Sequence, residues 1–210
     1  MTLDAAQPYL TIDKRVHQLQ SKQPEFTQTL STYMSKRVSE QRVLTARRML
    51  KENEALLDTI AATYGVTPRA IVALWGMESD FGRYMGSFSV LTSLTTLAYS
   101  SRRADYFRRE LMAALKAVDQ GHARPEDMLG SWAGAMGQCQ FMPWNYGRYA
   151  VDFNADGKRD IWHTKADALA SIAHFLQALG WDDSLTWGRQ VQLPTGFENL
   201  IDLGRYKYIL

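Results

Sequence analysis

Thr67-Pro68-Arg69-Ala70-Ile71-Val72-Ala73-Leu74-Trp75-Gly76-Met77-Glu78-Ser79-Asp80-Phe81-Gly82 reads as a helix capped at its front, buried along its length and broken just after an acid. Thr67 is a natural N-cap, and Pro68 suits the first helical position, where the missing N–H has no helical partner anyway. Ile71, Val72, Leu74, Trp75 and Met77 make the segment apolar almost all round, the pattern of a helix inside a core. Glu78 stands at its end, before Gly82 and Gly86 break the pattern. A carboxylate beside a wholly apolar helix is rare unless it is paired or employed. Apolar surroundings disfavour its charged form and raise its pKa. A carboxylic acid still protonated near neutral pH can hand its proton to a glycosidic oxygen. The plainer alternative is an exposed glutamate at a helix end, and this segment alone leaves both open.

The pattern on either side is helical. From Ser39 to Tyr64, Val43, Leu50, Leu57 and Tyr64 recur on one broad face, and Gly65 stops the run. Val90 to Tyr99 is a second apolar run, and Arg102 to Asp119 is amphipathic. Thr164-Lys165-Ala166-Asp167 resembles a capping box. It opens a helix with Leu169, Ile172, Ala173, Leu176 and Leu179 on one face, stopped at Gly180. Strand signals are weak throughout. The expected fold is mainly α, with a short β element near the loops.

A chain of 210 residues, 46% hydrophobic and 22% charged, can bury one sizeable core or a core with a smaller lobe. The net charge of +2 gives no argument for nucleic acid. Lys36, Arg37, Arg42, Arg47, Arg48 and Lys51 read as a solvated helix face. Arg102, Arg103, Arg108 and Arg109 form a second basic group. Cys139 is the single cysteine, so no internal disulfide forms, which does not exclude an exported protein. The start Met1-Thr2-Leu3-Asp4 is not a signal peptide. The chain is therefore cytoplasmic or a mature fragment, and its N-terminus leaves both open.

Three further segments carry possible chemistry. Asp152, Asn154, Asp156, Lys158 and Asp160, with Gly157 at the sixth place of the loop, match the spacing of an EF-hand calcium loop. His163 stands at the twelfth place, where a bidentate acid normally sits. A lone loop of this kind suggests a structural ion; the alternative is a polar surface turn. Gly130 to Pro143 is rich in small residues, and Ser131, Gln140 and Phe141 offer a hydroxyl, an amide and an aromatic surface suited to sugars. A tightly packed turn is an equal alternative. Cys139 reads as a small core residue, and His17, His122, His163 and His174 have no spacing that suggests zinc or a nucleophile pair.

Taken together these segments resemble the lytic murein transglycosylase B family. Gly76-Met77-Glu78-Ser79-Asp80-Phe81-Gly82 is similar to the segment that carries that family's catalytic glutamate. Ser101-Arg102-Arg103-Ala104-Asp105-Tyr106-Phe107 is similar to its arginine-pair segment. Gly130-Ser131 through Met142-Pro143 is similar to its Gly-Ser-x-Ala-Gly-Ala-Met-Gly-x-x-Gln-Phe-Met-Pro signature, and Asp152 to Trp162 to its calcium loop. The resemblance runs from about Pro24 to Trp181.

The resemblance implies a lysozyme-like α-rich core with a flanking helical lobe. On that reading 1–64 is the lobe, 65–180 the catalytic core with a calcium loop at 152–163, and 181–210 an incomplete C-terminal tail. It implies non-hydrolytic cleavage of the MurNAc–GlcNAc β-1,4 bond of peptidoglycan, leaving 1,6-anhydro-MurNAc ends, with Glu78 as acid and then base. It assigns the N-acetyl group and scissile region to Ser131 and Gln140, and sugar-facing walls to Phe141 and Tyr106. It gives acidic lactyl or peptide groups to Arg102 and Arg103, and a place near the acid to Tyr33. Asp152, Asn154, Asp156, Lys158 and Asp160 would hold a structural calcium; no organic cofactor is implied. The implied partners are peptidoglycan strands and other cell-wall enzymes, not nucleic acid. The implied state is a monomer in the periplasm, with outer-membrane association in a full-length protein. Departures are His163 in place of an acidic ligand, His174 where the family often has tyrosine, and the absence of a closing Tyr-Asn segment. A hydrolytic muramidase, with Asp80 or Asp105 as second carboxylate, and a non-catalytic peptidoglycan-binding protein are the alternatives.

Overall fold

The structure is a computed structural model that describes residues 3–20 and 30–186, with 188, 191–192 and 194–196. Most of the tail expected from 181 onward lies outside the described residues. A 3₁₀ turn, Leu3–Tyr9, leads into α1 (Lys14–Gln20), α2 (Leu30–Arg37), α3 (Glu40–Glu52), α4 (Glu54–Tyr64) and α5 (Pro68–Ser79). After β1 (Phe88–Ser89) come α6 (Val90–Ser100), α7 (Ala104–Asp119), β2 (Leu129–Gly130), α8 (Pro143–Tyr149) and α9 (Lys165–Ala178). The mainly helical reading holds, and the short β element is an antiparallel pair with Phe88 opposite Gly130.

The run from Ser39 to Tyr64 is two helices, not one. Ser39 caps α3 by accepting the Arg42 N–H at 3.3 Å. Asn53 then leaves helical geometry and donates its side-chain amide to the Met49 carbonyl at 2.7 Å. Asparagine competes with the backbone in this way, which is why it ends helices. Its side-chain oxygen accepts from Lys165 Nζ at 3.0 Å, so the break is tied to the start of α9. The new register buries Leu57 and Ile60 on α4 while Val43 on α3 turns to solvent.

The front of α5 follows its sequence reading only in part. Pro68 holds the first turn, but the Thr67 side chain makes no cap bond. Ile71, Val72 and Trp75 are buried, and α5 packs on α3, α4 and α9. The opening of α9 also departs from expectation. Thr164 makes no side-chain cap bond, and Asp167 does not reach back to the helix start. Asp167 is instead 0% exposed and turned toward the loop ahead of it. Its carboxylate accepts the N–H groups of Phe153 and Asp160, each at 2.9 Å, and that of Asn154 at 3.4 Å. A loop cannot pair its own donors as a helix does, and a buried carboxylate supplies the missing acceptors. Leu179, expected on the buried face of this helix, lies past its end and is exposed.

Candidate active site

The acid sits at an unusual chain reversal. Asp80, Phe81 and Gly82 follow Glu78 with φ of 50°, 61° and 80°. Two non-glycine residues in succession in the left-handed region need support from their surroundings. Phe81 supplies it by folding back over α5. A Cβ on Gly76 would come within 2.7 Å of that ring, so only glycine admits it. The ring also meets Trp75 edge to face at 5.6 Å. Farther on, Gly86 has φ of 94° and lies so close to the Gly130 carbonyl that no side chain fits.

Polar bonds lock this reversal to the Gly-rich segment. Ser79 Oγ donates to the Gln138 carbonyl at 2.8 Å and accepts from Gly82 N–H at 3.0 Å. The Gln138 side chain accepts from Trp75 Nε1 at 2.9 Å and donates to the Trp162 carbonyl at 3.0 Å. Gln140, at φ of 49°, donates its amide to the carbonyls of Met85 and Gly137 at 3.0 and 2.9 Å. With the β1–β2 pairing, these bonds lay residues 78–89 beside residues 129–141. Satisfied buried polar groups of this kind fix one arrangement of the chain.

Two residues expected to bind sugar have free capacity. Ser131 Oγ accepts the N–H groups of Ala133 and Ala135 at 3.3 and 3.0 Å, which leaves its own hydrogen to donate. Gln140 has both amide hydrogens engaged, which leaves its side-chain oxygen as the acceptor. Phe141, expected as a sugar-facing wall, is 6% exposed and packs on Phe175 at 5.4 Å. Cys139 is buried, donates to the Ala168 carbonyl at 3.2 Å, and has its thiol pushed up by burial, as a core residue.

Glu78 is open to solvent on one side and crowded on the other. Burial raises its pKa, and the Arg37 guanidinium partly opposes that. Arg37 stands on α2 with Tyr33, whose ring lies 5.5 Å from the guanidinium carbon. Arg42 anchors α2 here. It donates to the Arg37 carbonyl at 2.7 Å and pairs with Asp80 at 3.6 Å. The front basic group is therefore not simply a solvated face. Arg37 and Arg42 were hidden because their partners lie far along the chain.

Replacing Arg37 with Gln is expected to raise the pKa of Glu78 further, since it removes the influence that lowers it. If Glu78 acts as an acid, its working form is protonated, so the descending limb of the pH–kcat/KM profile is expected to move to higher pH. A limb that stays in place or moves down would separate Arg37 from the acid.

Other carboxylates near these segments are engaged. Asp80 holds Arg42 and also Arg83 at 3.3 Å. Asp105 is 92% exposed and pairs with Arg108 at 2.7 Å. The arginine pair has no carboxylate partner among the described residues. Arg103 stacks on Tyr106 at 4.3 Å, and both arginines line a cavity of about 570 Å³ with Trp132, the neighbour of Ser131. Tyr106 has its pKa raised by burial and by Glu110. His174 fills its place against the rings of Tyr64 and Tyr149.

The residues from Asp152 to Asp160 form a compact loop. Asp152 accepts the Asp156 and Gly157 N–H groups at 3.0 and 2.8 Å, and Asp156 accepts that of Lys158 at 2.9 Å. Asp156 has its pKa lowered, first by the Asn154 side-chain amide and then by the Lys158 N–H. Among the described residues, no three His, Cys, Asp or Glu side chains converge as a ready metal group. The donor set still suits a hard cation, because each carboxylate oxygen bonded once keeps a second lone pair.

A transglycosylase SLT domain family model matches residues 1–208. The chain belongs to that family. This transglycosylase SLT domain is 39% identical over 151 residues to membrane-bound lytic murein transglycosylase B of Escherichia coli (strain K12), covering 69% of the chain and 42% of that relative. It superposes on SltB3 from Pseudomonas aeruginosa, solved in complex with NAG-NAM-pentapeptide, with a TM-score of 0.88 and 44% identity over 92% of this chain and 52% of that one. Escherichia coli Slt35 in complex with calcium gives a TM-score of 0.73 and 33% identity over 91% of this chain and 65% of that one. The lysozyme-like helical fold and the resemblance to the transglycosylase B family are thereby established. The domain spans less than half the length of the curated relative and about half that of SltB3.

Proposed function

We propose that this chain is a lytic transglycosylase that cleaves the MurNAc–GlcNAc β-1,4 bond of peptidoglycan, with Glu78 as its acid and base. The observation that carries the reading is the partly desolvated, solvent-reaching carboxyl of Glu78 with its raised pKa, while Asp80 and Asp105 are held by arginines. A hydrolase of the usual kind needs a second carboxylate to handle water or a covalent intermediate. A single acid suffices when the substrate supplies the nucleophile. Glu78 protonates the leaving glycosidic oxygen, then takes the proton from the C6 hydroxyl as that oxygen bonds to C1 and closes the 1,6-anhydro ring. The carboxyl ends as it began, and no water is consumed.

The surrounding groups fit these steps. The Ser131 hydrogen and the Gln140 oxygen offer one donor and one acceptor to the N-acetyl group and scissile region. Arg102 and Arg103 offer unpaired charge to lactyl or peptide carboxylates, with Tyr106 as a wall and Tyr33 near the acid. The lobe of 1–64 brings Tyr33 and Arg37 to the core of 65–180. A relative named as a membrane-bound lytic murein transglycosylase, and SltB3 solved in complex with a NAG-NAM-pentapeptide, support this substrate. The place of action that follows is the periplasm, where peptidoglycan lies. Mass spectrometry of digested sacculi tests the reading. Anhydro-MurNAc ends are expected. Reducing MurNAc ends, one water heavier, would make the chain a hydrolase, and no released muropeptides would make it a binding protein.

The same reading places calcium at the loop 152–163, where Asp152, Asn154, Asp156 and Asp160 would supply oxygens and Lys158 its backbone carbonyl. A hard cation there neutralises clustered carboxylates and stiffens the loop beneath α9, a structural role. The calcium complex of Slt35 supports it. Saturating calcium is expected to raise the melting temperature by about 5 °C over a chelated sample, since a ligand that binds only the native state stabilises it. No shift in scanning calorimetry would remove the ion.

A further inference from the structure

A second groove lies between α7 and α8, and none of the residues assigned to cleavage lines it. Its volume is about 740 Å³, the size of sites that hold small molecules or short peptides. Its lining includes Ala113, Ala117 and Gly147, small residues that let an extended chain lie close. Arg109, Lys116, Arg148 and Arg159 edge it, and none of them forms an ion pair among the described residues. Arg108 also lines it and is the one cation there already paired, to Asp105. Among the described residues, no acidic side chain lines the groove. His122 also lines it, its Nδ1 shut from solvent with no hydrogen-bond partner among the described residues; burial and then Arg159 lower the pKa of that ring, and Asp152 partly opposes them. Met112 and Trp144 stand at the rim, 65% and 53% exposed.

Unpaired cations around a small-residue lining, with a bare indole beside them, call for a ligand that is acidic and partly apolar. Solvated lysines and arginines on a plain surface would be interspersed with acids. A duplex or single strand of nucleic acid would need a longer basic track than this short groove, and the chain's net charge is only +2.

We propose that the α7–α8 groove is an accessory site for a carboxylate-bearing peptide, namely the acidic peptide stem of a peptidoglycan strand other than the one being cut. Naming the peptidoglycan stem rests on the transglycosylase reading; the acidic-peptide chemistry does not. Arg148 and Lys116 face the carboxylates from α8 and α7, and Trp144 covers the apolar backbone between them. A strand held there keeps the domain on the wall between cuts.

The test is a calorimetric titration with a synthetic stem pentapeptide bearing free carboxylates, run on the whole chain carrying Arg102→Gln/Arg103→Gln so that the cleavage-groove arginines do not contribute. Binding is expected to weaken as salt rises and to fall at least about tenfold in Lys116→Glu/Arg148→Glu and on amidation of the peptide carboxylates. Trp144→Ala is expected to weaken it separately, and Glu78→Gln to leave it unchanged. All four side chains are exposed, and circular dichroism verifies that each variant folds. Equal affinity in the double charge-reversal variant overturns the proposal, as does equal affinity for the amidated peptide. Capture by vesicles rich in phosphatidylglycerol, through the same arginine and lysine and without any peptide binding, also overturns it in favour of a lipid surface. Failure of sacculi to yield anhydro-muropeptides would instead strike the transglycosylase reading. An intact peptide titration in that case leaves an acidic-peptide site on a non-cleaving domain.

Discussion

Glu78→Gln is expected to lower muropeptide release from sacculi by about 10³-fold or more while leaving the fold intact. Glutamine has the shape of the acid but can neither give up a proton nor take one. Both halves of the proposed reaction need that transfer, so a single substitution removes both. The fold is expected to survive because Glu78 reaches solvent and makes no ion pair among the described residues. Thermal melts of the two proteins that agree within a degree or two, beside the lost activity, would make the effect chemical. The pH profile gives a second readout. Burial raises the Glu78 pKa, so wild-type cleavage is expected to persist above the usual carboxylate range and to fall as the pH passes that raised value. A Glu78→Gln protein that still digests sacculi within a few-fold of wild type would end the assignment.

Asp167→Ala is expected to be the most damaging substitution for stability, by about 3 kcal/mol, because it strands several N–H groups of the loop at once. The carboxylate has no solvent contact and is the shared acceptor for Phe153, Asn154 and Asp160. Asn is expected to rescue little of this, since its amide turns a donor toward donors. Burial raises the Asp167 pKa, and the three backbone bonds oppose that without reversing it. Between the unfolded value and the raised native one, the native chain keeps a proton that the unfolded chain has lost. Its contribution to stability therefore falls as pH rises through that window, and that contribution to the slope is expected to be lost in Asp167→Ala. Urea melts across mildly acidic pH measure both effects. A loss below about 1 kcal/mol would mean that water replaces the carboxylate.

Much of this was legible in the residue pattern. The apolar run ending in Glu78 marked a core helix and raised an acid of elevated pKa as one of two readings, and the helical class followed from the neighbouring runs. What stayed hidden depends on distant partners. Gln138 lay inside a recognised signature, yet its role comes from Trp75 and Trp162. Arg42 read as a surface cation until Asp80 and the end of α2 were beside it. Asp167 was read as part of a helix cap because the local spacing fits one, but a loop with unmet donors competed for it and won. Phe141 was legible as an aromatic in the turn, but its contact with Phe175 across the core was not.

The ring of Phe81 seated over Gly76 bears on how this acid could be moved. A designer who grafted only a glutamate onto the end of another apolar helix would obtain an ordinary surface carboxylate. The portable unit is the whole cassette from Trp75 to Gly82. Its glycine makes room for the ring, its ring holds the left-handed reversal, and its serine ties that reversal to a neighbouring strand of chain. The host must also offer an acceptor where Gln138 stands. Chemistry that looks like the property of one residue is here inherited as a block of eight.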